Sequence, residues 1–373
     1  MLRGPMPSFI TGPPKTLELP QGFRFRHGQT IAPFTIVYET FGELNAERSN
    51  AVLVCHALSA GAHAAGRYTG DPEERPGWWD GLIGYGKGID LTRYFVVCVN
   101  FPGSPFGTTA PKSVDPETGK PYGSRYPWPT IEDMVEAEKA VLEHLGITRL
   151  KAIAGGSLGG MQVLMWAAMY PELADSIICM ASGAAVPVTG VAWHILGRKI
   201  IETDDRFHGG DYYGDDLEHG GKALRGLQVA RMLGHMTYLS TDALQRKFAR
   251  RRRGNTRQFE IDSYFEYQGK KFAALYDANS YIRVQAAMDE MDLEEQYESL
   301  EAAFSRWRGR TLLISFDTDW LFPPVETERV AAAMRSLGTD ARHYEITSAN
   351  GHDTFLIDFP LIEEHVRSFL DGA

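Results

Sequence analysis

From Phe34 onward the chain alternates short apolar runs with longer segments of helical period. The runs "FTIVYETFG" (34–42), "NAVLVCHAL" (50–58) and "YFVVCVNF" (94–101) are rich in β-branched and aromatic residues and have strand length. "TIEDMVEAEKAVLEHLGI" (130–147) instead places its apolar residues three and four apart, as a helix with one buried face requires. "LKAIAGGS" (150–157) is the next strand. Near the carboxyl end the rhythm returns: "RTLLISFDTD" (310–319) and "ARHYEITS" (341–348) as strands, "PVETERVAAAMRSLG" (324–338) and "LIEEHVRSFLDG" (361–372) as helices. Such alternation predicts an α/β protein with a mostly parallel central sheet flanked by helices.

The stretch from Val188 to Phe304 follows another rule. "AWHILGRKIIE", "GKALRGLQVARMLGHMTYLS", "DALQRKFARR" and "SYIRVQAAMDEMDL" are helical patterns with few β-branched runs, entered through the Gly/Pro/Val-rich "SGAAVPVTG". The expected organisation is a discontinuous α/β core, 1–187 and 305–373, with a helical lid inserted at 188–304.

Composition narrows the class. With 373 residues, 43% of them apolar, the chain can bury a substantial core. No apolar run approaches membrane-spanning length, and "MLRGPMPSFITGPPKTLELP" lacks the apolar centre of a signal peptide, so a cytoplasmic protein is expected. Cys55, Cys98 and Cys179 sit in strand-like runs without metal-ligand spacing and read as buried thiols; no metal is expected. A formal charge of −10 argues against a general nucleic-acid binder. One segment dissents: "KFARRRRGNTR" (247–257) holds six basic residues in eleven, a solvated loop or a site for an anionic ligand.

The densest chemical signal is "IAGGSLGGMQ" (153–162), in which four glycines surround Ser157. A strand ending in Gly-x-Ser-x-Gly and running into a helix is the nucleophile-elbow pattern; Gly155 and Gly159 occupy its flanking positions, and "MQVLMWAAMYPE" supplies the helix. A phosphate-binding P-loop is excluded because no Lys-Ser/Thr pair follows the glycines. At a helix amino terminus the Leu158 N–H can donate to a developing oxyanion. The second donor is expected from the small-residue loop "VCHALSAGAHAAG" (54–66), with Leu58 the candidate amide. In chains of the α/β-hydrolase type the order is serine, acid, histidine, which sets aside His56 and His63 and selects His352 in "SANGHDTFL". Asp317 and Asp319, both at the end of a strand, are the acid candidates; spacing alone favours neither strongly.

Together "GGSLGGMQ", "NAVLVCHALS", "GWWDGLIGYGKGID", "DPETGKPYG", "ARMLGHMTYLS", "YDANSYI", "DTDWLFPP" and "GHDTFLID" resemble the homoserine O-acetyltransferases, from about Leu17 to Leu370. The resemblance implies an α/β-hydrolase fold and acetyl transfer from acetyl-CoA, through an acyl-Ser157 intermediate, to the hydroxyl of L-homoserine in methionine biosynthesis. It implies Asp319 as the acid, His352 as the base, Arg231 and Asp353 as substrate-binding residues, no permanent cofactor, and a homodimer formed through lid helices. An arginine fits the carboxylate of an amino-acid acceptor and a carboxylate fits its ammonium. Succinyl-transferring relatives tend to carry arginine where this chain has Leu321, which favours acetyl. The pattern departs from the family at "NFPGSPFGTTAP" (100–111) and "AWH" (192–194), both expected to line the site. Serine O-acetyltransferase, homoserine or serine O-succinyltransferase, a plain esterase and a silent binding protein are the alternatives, the last disfavoured by the intact Ser157, Asp319 and His352.

Overall fold

The computed structural model describes residues 9–214 and 224–372. Residues 1–8, part of the amino-terminal segment considered above for a signal peptide, and Gly221 to Ala223, which open one of the helical patterns, lie outside the described residues.

Eight strands form the central sheet: β1 (Lys15–Leu19), β2 (Phe34–Phe41), β3 (Ala51–Cys55), β4 (Phe95–Val99), β5 (Ala152–Gly156), β6 (Ser176–Met180), β7 (Arg310–Phe316) and β8 (Ala341–Ile346). Their spatial order is β1-β2-β4-β3-β5-β6-β7-β8. The six strands from β4 to β8 in that order are parallel, while β2 pairs antiparallel with both β4 and β1. Every residue of β3, β4, β5 and β6 is buried, which is why they read as unbroken apolar runs without alternation. The edge strand β1, "KTLEL", is polar and largely exposed, so it left no comparable signal.

Helices cover both faces. On one side α1 (Ile131–His144) and α2 (Leu158–Met169) bury Met134, Val141, Met161, Leu164 and Trp166. On the other, Trp79, Leu82 and the closing helix near Val366 and Phe369 pack over Val52, Val96 and Ile314. The start of α1 is set at Thr130, whose hydroxyl accepts from the Asp133 amide while Asp133 accepts from the Thr130 amide.

Strand β3 has β4 on one side and β5 on the other, so successive connections leave it in opposite directions. Sheets of this kind open a crevice beyond the carboxyl ends of the strands at such a reversal. Ser157 follows β5 there, and the His56–Leu58 loop follows β3.

Between β6 and β7 the chain runs through α3 (Val188–Glu202), α4 (Arg225–Tyr238), α5 (Thr241–Phe248), α6 (Glu260–Ala273) and α7 (Ala278–Glu290). α4 and α6 approach closely because Gly269 lacks a Cβ, which would lie 2.6 Å from the Gln228 carbonyl oxygen. Helix α6, "EIDSYFEYQGKKFA", has mostly half-buried and polar positions and was not distinguished in the sequence from the polar segments around it.

The glycines of the elbow fill a physical requirement. A Cβ on Gly155 would lie 2.4 Å from the Gly159 carbonyl oxygen, and one on Gly159 would lie 2.1 Å from the Cys55 carbonyl oxygen. Both obstacles are backbone and cannot rotate away. Gly159→Ala should therefore destabilise the fold by roughly 1–3 kcal/mol, as overpacking of a tight core does. Denaturant unfolding measures it, and an unchanged midpoint would contradict the contact.

Candidate active site

The turn from β5 into α2 places Ser157 at φ +57°, ψ −126°, a conformation strained for a residue with a side chain. Two backbone bonds hold it: the Ser157 amide donates to Met180 O of β6 at 3.0 Å, and the Met161 amide donates to Ser157 O at 3.0 Å. The hydroxyl projects at the crevice with the residue only 7% exposed.

His352 comes from the loop after β8. Its Nε2 lies 2.8 Å from Ser157 Oγ, and its Nδ1 lies 2.7 Å from Asp319 Oδ2. Asp319 belongs to the loop after β7, and its other oxygen accepts the amides of Leu321 at 2.9 Å and Phe322 at 3.0 Å. Those amides fix the carboxylate plane so that Oδ2 faces the ring, and a proton on Nδ1 then leaves the Nε2 lone pair toward the serine. The two aspartates that spacing left open are separated by geometry: Asp317 accepts the Ser348 amide instead, at 2.9 Å. Burial works to lower the His352 pKa, but the Asp319 charge and hydrogen bond outweigh it, and the imidazole ends above its ordinary value. Such a ring is a ready acceptor for the serine proton.

The loop after β3 is braced from three directions. Gln162 of α2 donates to His56 O and Leu158 O, both at 3.2 Å, tying the loop to the elbow. Asn100 accepts the Ala62 amide and donates to Phe106 O, each at 2.7 Å. Tyr276 donates to Leu58 O at 2.7 Å. His56 is fully buried and stacked on Phe101 at 4.2 Å, with its pKa lowered to about 4 by burial; His63 pairs with Glu39 at 3.0 Å. Neither ring bonds Ser157. Cys55, Cys98 and Cys179 are buried free thiols.

Helix α4 brings Arg231 over the same crevice. Its guanidinium sits 4.4 Å from the Phe272 ring centre and 4.9 Å from that of Tyr238, with Nη1 3.4 Å from both Ser59 Oγ and Tyr238 Oη. Arg231 Nε and both ring nitrogens of His235, one helical turn further on, are buried without a hydrogen-bond partner among the described residues. Burial first, then the charges of Arg231, Lys247 and Lys271, lower the His235 pKa to about 3, so the ring is neutral. Asp353 adjoins His352, and burial raises its pKa to about 6 against the pull of His352 and Arg231. Tyr238, not singled out in the sequence, lies seven residues after Arg231 on the same helical face and also approaches the His352 ring at 6.2 Å. That spacing was the available signal.

The start of α3 closes the other side. Leu321 is 4% exposed, and its side chain lies 3.3 Å from where a Cβ on Gly190 would stand. Trp193 meets Trp320 edge-on at 5.8 Å. His194, in the segment that departs from the family pattern, bonds Asp289 at 2.6 Å, and Arg198 holds the other oxygen of that carboxylate at 2.6 Å. Among the described residues no group of three or more His, Cys, Asp and Glu side chains is arranged to hold a metal ion, and no helix is long and apolar enough to cross a membrane.

Sheet order, elbow and the Ser157–His352–Asp319 relay define an α/β hydrolase, and the profile of the alpha/beta hydrolase fold matches residues 50–359. A homoserine O-succinyltransferase of Burkholderia multivorans is 43% identical over 370 residues, 96% of each chain. A homoserine O-acetyltransferase of Deferribacter desulfuricans is 41% identical over 362 residues, 95% of this chain and 94% of its own. The chain belongs to the homoserine O-acyltransferase family. Among solved structures, homoserine O-acetyltransferase from Bacillus anthracis superposes with a TM-score of 0.88 at 30% identity, covering 96% of this chain and 97% of its own. Esterase E22 superposes with a TM-score of 0.87 at 27% identity, covering 96% and 99%.

The Asp353 carboxyl binds its proton more tightly in the folded chain than its ordinary value of 3.8 implies, so it destabilises the fold progressively as pH rises from about 4 to about 6. Asp353→Asn should accordingly gain on the wild type by roughly 2 kcal/mol over that interval in urea titrations. A pH-independent difference would mean that the carboxyl is solvated.

Proposed function

We propose that the protein carries an acetyl group from acetyl-CoA to the hydroxyl of L-homoserine through an acyl-Ser157 intermediate, a step of methionine biosynthesis. The observation that carries this reading is the juxtaposition of a hydrogen-bonded Ser157–His352–Asp319 relay with Arg231 and Asp353. A neutral ester needs neither of the last two. An amino acid needs both, the guanidinium for its carboxylate and the carboxylate for its ammonium.

In the first half-reaction His352 Nε2 takes the Ser157 proton as Oγ adds to the thioester carbonyl, and the N–H groups of Leu58 and Leu158 receive the oxyanion. The tetrahedral adduct collapses, the C–S bond breaks, and His352 returns the proton to the departing thiolate. In the second half-reaction the acceptor hydroxyl gives its proton to His352 and attacks the acyl carbon, and Ser157 leaves with that proton. Asp319 stabilises the imidazolium in both.

Hydrolysis of the acyl-serine is the competing outcome, and the segment 188–304, read as a lid, narrows the approach of water. The likeness to esterase E22 makes that alternative concrete, because the same fold serves a protein named as an ester hydrolase. The apolar Leu321 supports acetyl over succinyl, whose second carboxylate calls for a cation; succinyl transfer is the runner-up because several relatives bear that name. Serine is the alternative acceptor. The exposed apolar positions Val188, Ala192, Ile195 and Leu196, on one face of α3, support a homodimer through the lid. The protein is read as cytoplasmic, without a permanent cofactor.

Thiol release from acetyl-CoA and succinyl-CoA, each with homoserine, serine or water, tests the reading: acetyl-CoA with homoserine should be fastest, and release fastest into water would make the protein a hydrolase. Ser157→Ala should abolish acyl-enzyme formation in intact-mass spectra. Arg231→Ala should slow the acceptor half-reaction by about 100-fold, the worth of a charge-assisted bidentate contact, while single-turnover acylation proceeds. Slowed acylation alone would place Arg231 on the donor side.

A further inference from the structure

The basic run in the lid is a built feature. Ala249, at φ +48°, turns the chain out of α5, and the segment folds back on itself: Arg252 bridges Phe259, the Arg253 amide donates to Gln258 O at 2.9 Å, and the Glu260 amide donates to Arg251 O at 3.1 Å. The resulting hairpin presents Arg250, Arg251, Arg252, Arg253 and Arg257, all exposed, directly after Arg246 and Lys247 of α5. Among the described residues only Arg251 of this run pairs with a carboxylate, Glu260 at 2.8 Å. Three of the others lie over aromatic faces: Arg252 lies 3.9 Å and Arg250 5.5 Å from the Phe259 ring centre, and Lys247 lies 4.1 Å from that of Tyr264. In a chain of net charge −10, a cluster of cations with one paired carboxylate among the described residues must be stabilised against its own repulsion or serve an anion.

A line of rings connects this cluster to the site. Tyr264 lies 5.9 Å from His235, His235 5.6 Å from Tyr238, and Tyr238 6.2 Å from His352. At its other end α5 is anchored to the base loop: Ser240 caps the helix by accepting the Ala243 amide and donates to Ala349 O, three residues before His352. Eight residues of helix then separate that anchor from the hairpin, ~12 Å of rise. The pantetheine arm of CoA, from thiol to diphosphate, is about four residue-lengths of extended chain, ~14 Å.

We propose that the lid hairpin Arg250–Arg257, with Arg246 and Lys247, binds the phosphates of the acyl-CoA donor. The proposal rests on the acyl-CoA reading of the site and adds where the donor's charge is held. Guanidinium forks suit phosphate oxygens, and stacking on Phe259 preorders them. A thioester entering with its phosphates on the lid reaches Ser157 from the side on which Arg231 and Tyr238 lie.

The test uses Arg250→Gln, Arg252→Gln and Arg253→Gln, singly and combined; Arg251 is left intact because it pairs with Glu260. Each lost phosphate contact should raise the KM for acetyl-CoA roughly tenfold, while kcat and the KM for homoserine stay constant. Acetyl-pantetheine, which lacks the diphosphate and the nucleotide, should be used equally by wild type and variants. Calorimetry with CoA and with adenosine 3′,5′-bisphosphate reads the site without turnover, and melting temperatures report folding. Equal CoA affinity in folded wild type and triple variant overturns the proposal, as does tighter wild-type binding of an RNA oligomer than of CoA. Salt-sensitive CoA binding that the triple variant loses, with no thiol release from any acyl-CoA, would sink the proposed function and leave the phosphate site standing.

Discussion

The structure turns on a backbone contact. Where β5 enters α2, the carbonyl of Cys55 and the Cα of Gly159 approach so closely that no side chain fits between them. This contact brings the first turn of α2 against the end of β3, and with it the loop that carries Leu58. It also forces the intervening residue, Ser157, into a left-handed conformation held by the Met180 carbonyl. The strain at one residue is sustained by a sheet whose central strands are buried on both faces.

Around that contact the chain assembles the relay from three separate strand ends. Ser157 follows β5, Asp319 follows β7 and His352 follows β8, so the relay exists only when the parallel register of these strands is in place. The helical segment then works on the loop that carries the base. Gly351 has no room for a Cβ against the Leu239 and Ser240 backbone, Ser240 bonds Ala349, and Tyr238 faces His352. Helix α4 thus touches the histidine loop with its carboxyl end while its Arg231 reaches the loop after β3. A shift of this helix moves a cation over the crevice and the support of the imidazole together.

Legibility followed burial. The central strands were plain in the sequence because two-sided burial demands unbroken apolar runs, and α1 was plain because one-sided burial demands a helical period. Strand β1 and helix α6 were not, because a polar edge strand and a half-buried helix lack either pattern. In the site, the elbow announced itself through glycines that sterics require. Asp317 and Asp319 could not be separated by spacing, since both end the same strand; the amides of Leu321 and Phe322 separate them by orienting one carboxylate toward His352. Tyr276 carries no local signal of its own, because it acts on the distant Leu58 carbonyl, and Tyr238 could be read only from its spacing to Arg231 on one helical face.

The sequence by itself determined the α/β class, the elbow and the chain order of serine, acid and histidine, because each depends on local backbone sterics or on short-range periodicity. The tertiary structure decided which aspartate meets the imidazole, which helix overhangs the crevice and how the arginine run closes into a hairpin. Those are outcomes of register and packing between segments far apart in the chain, where the energy lies in pairs of residues and no single position records it.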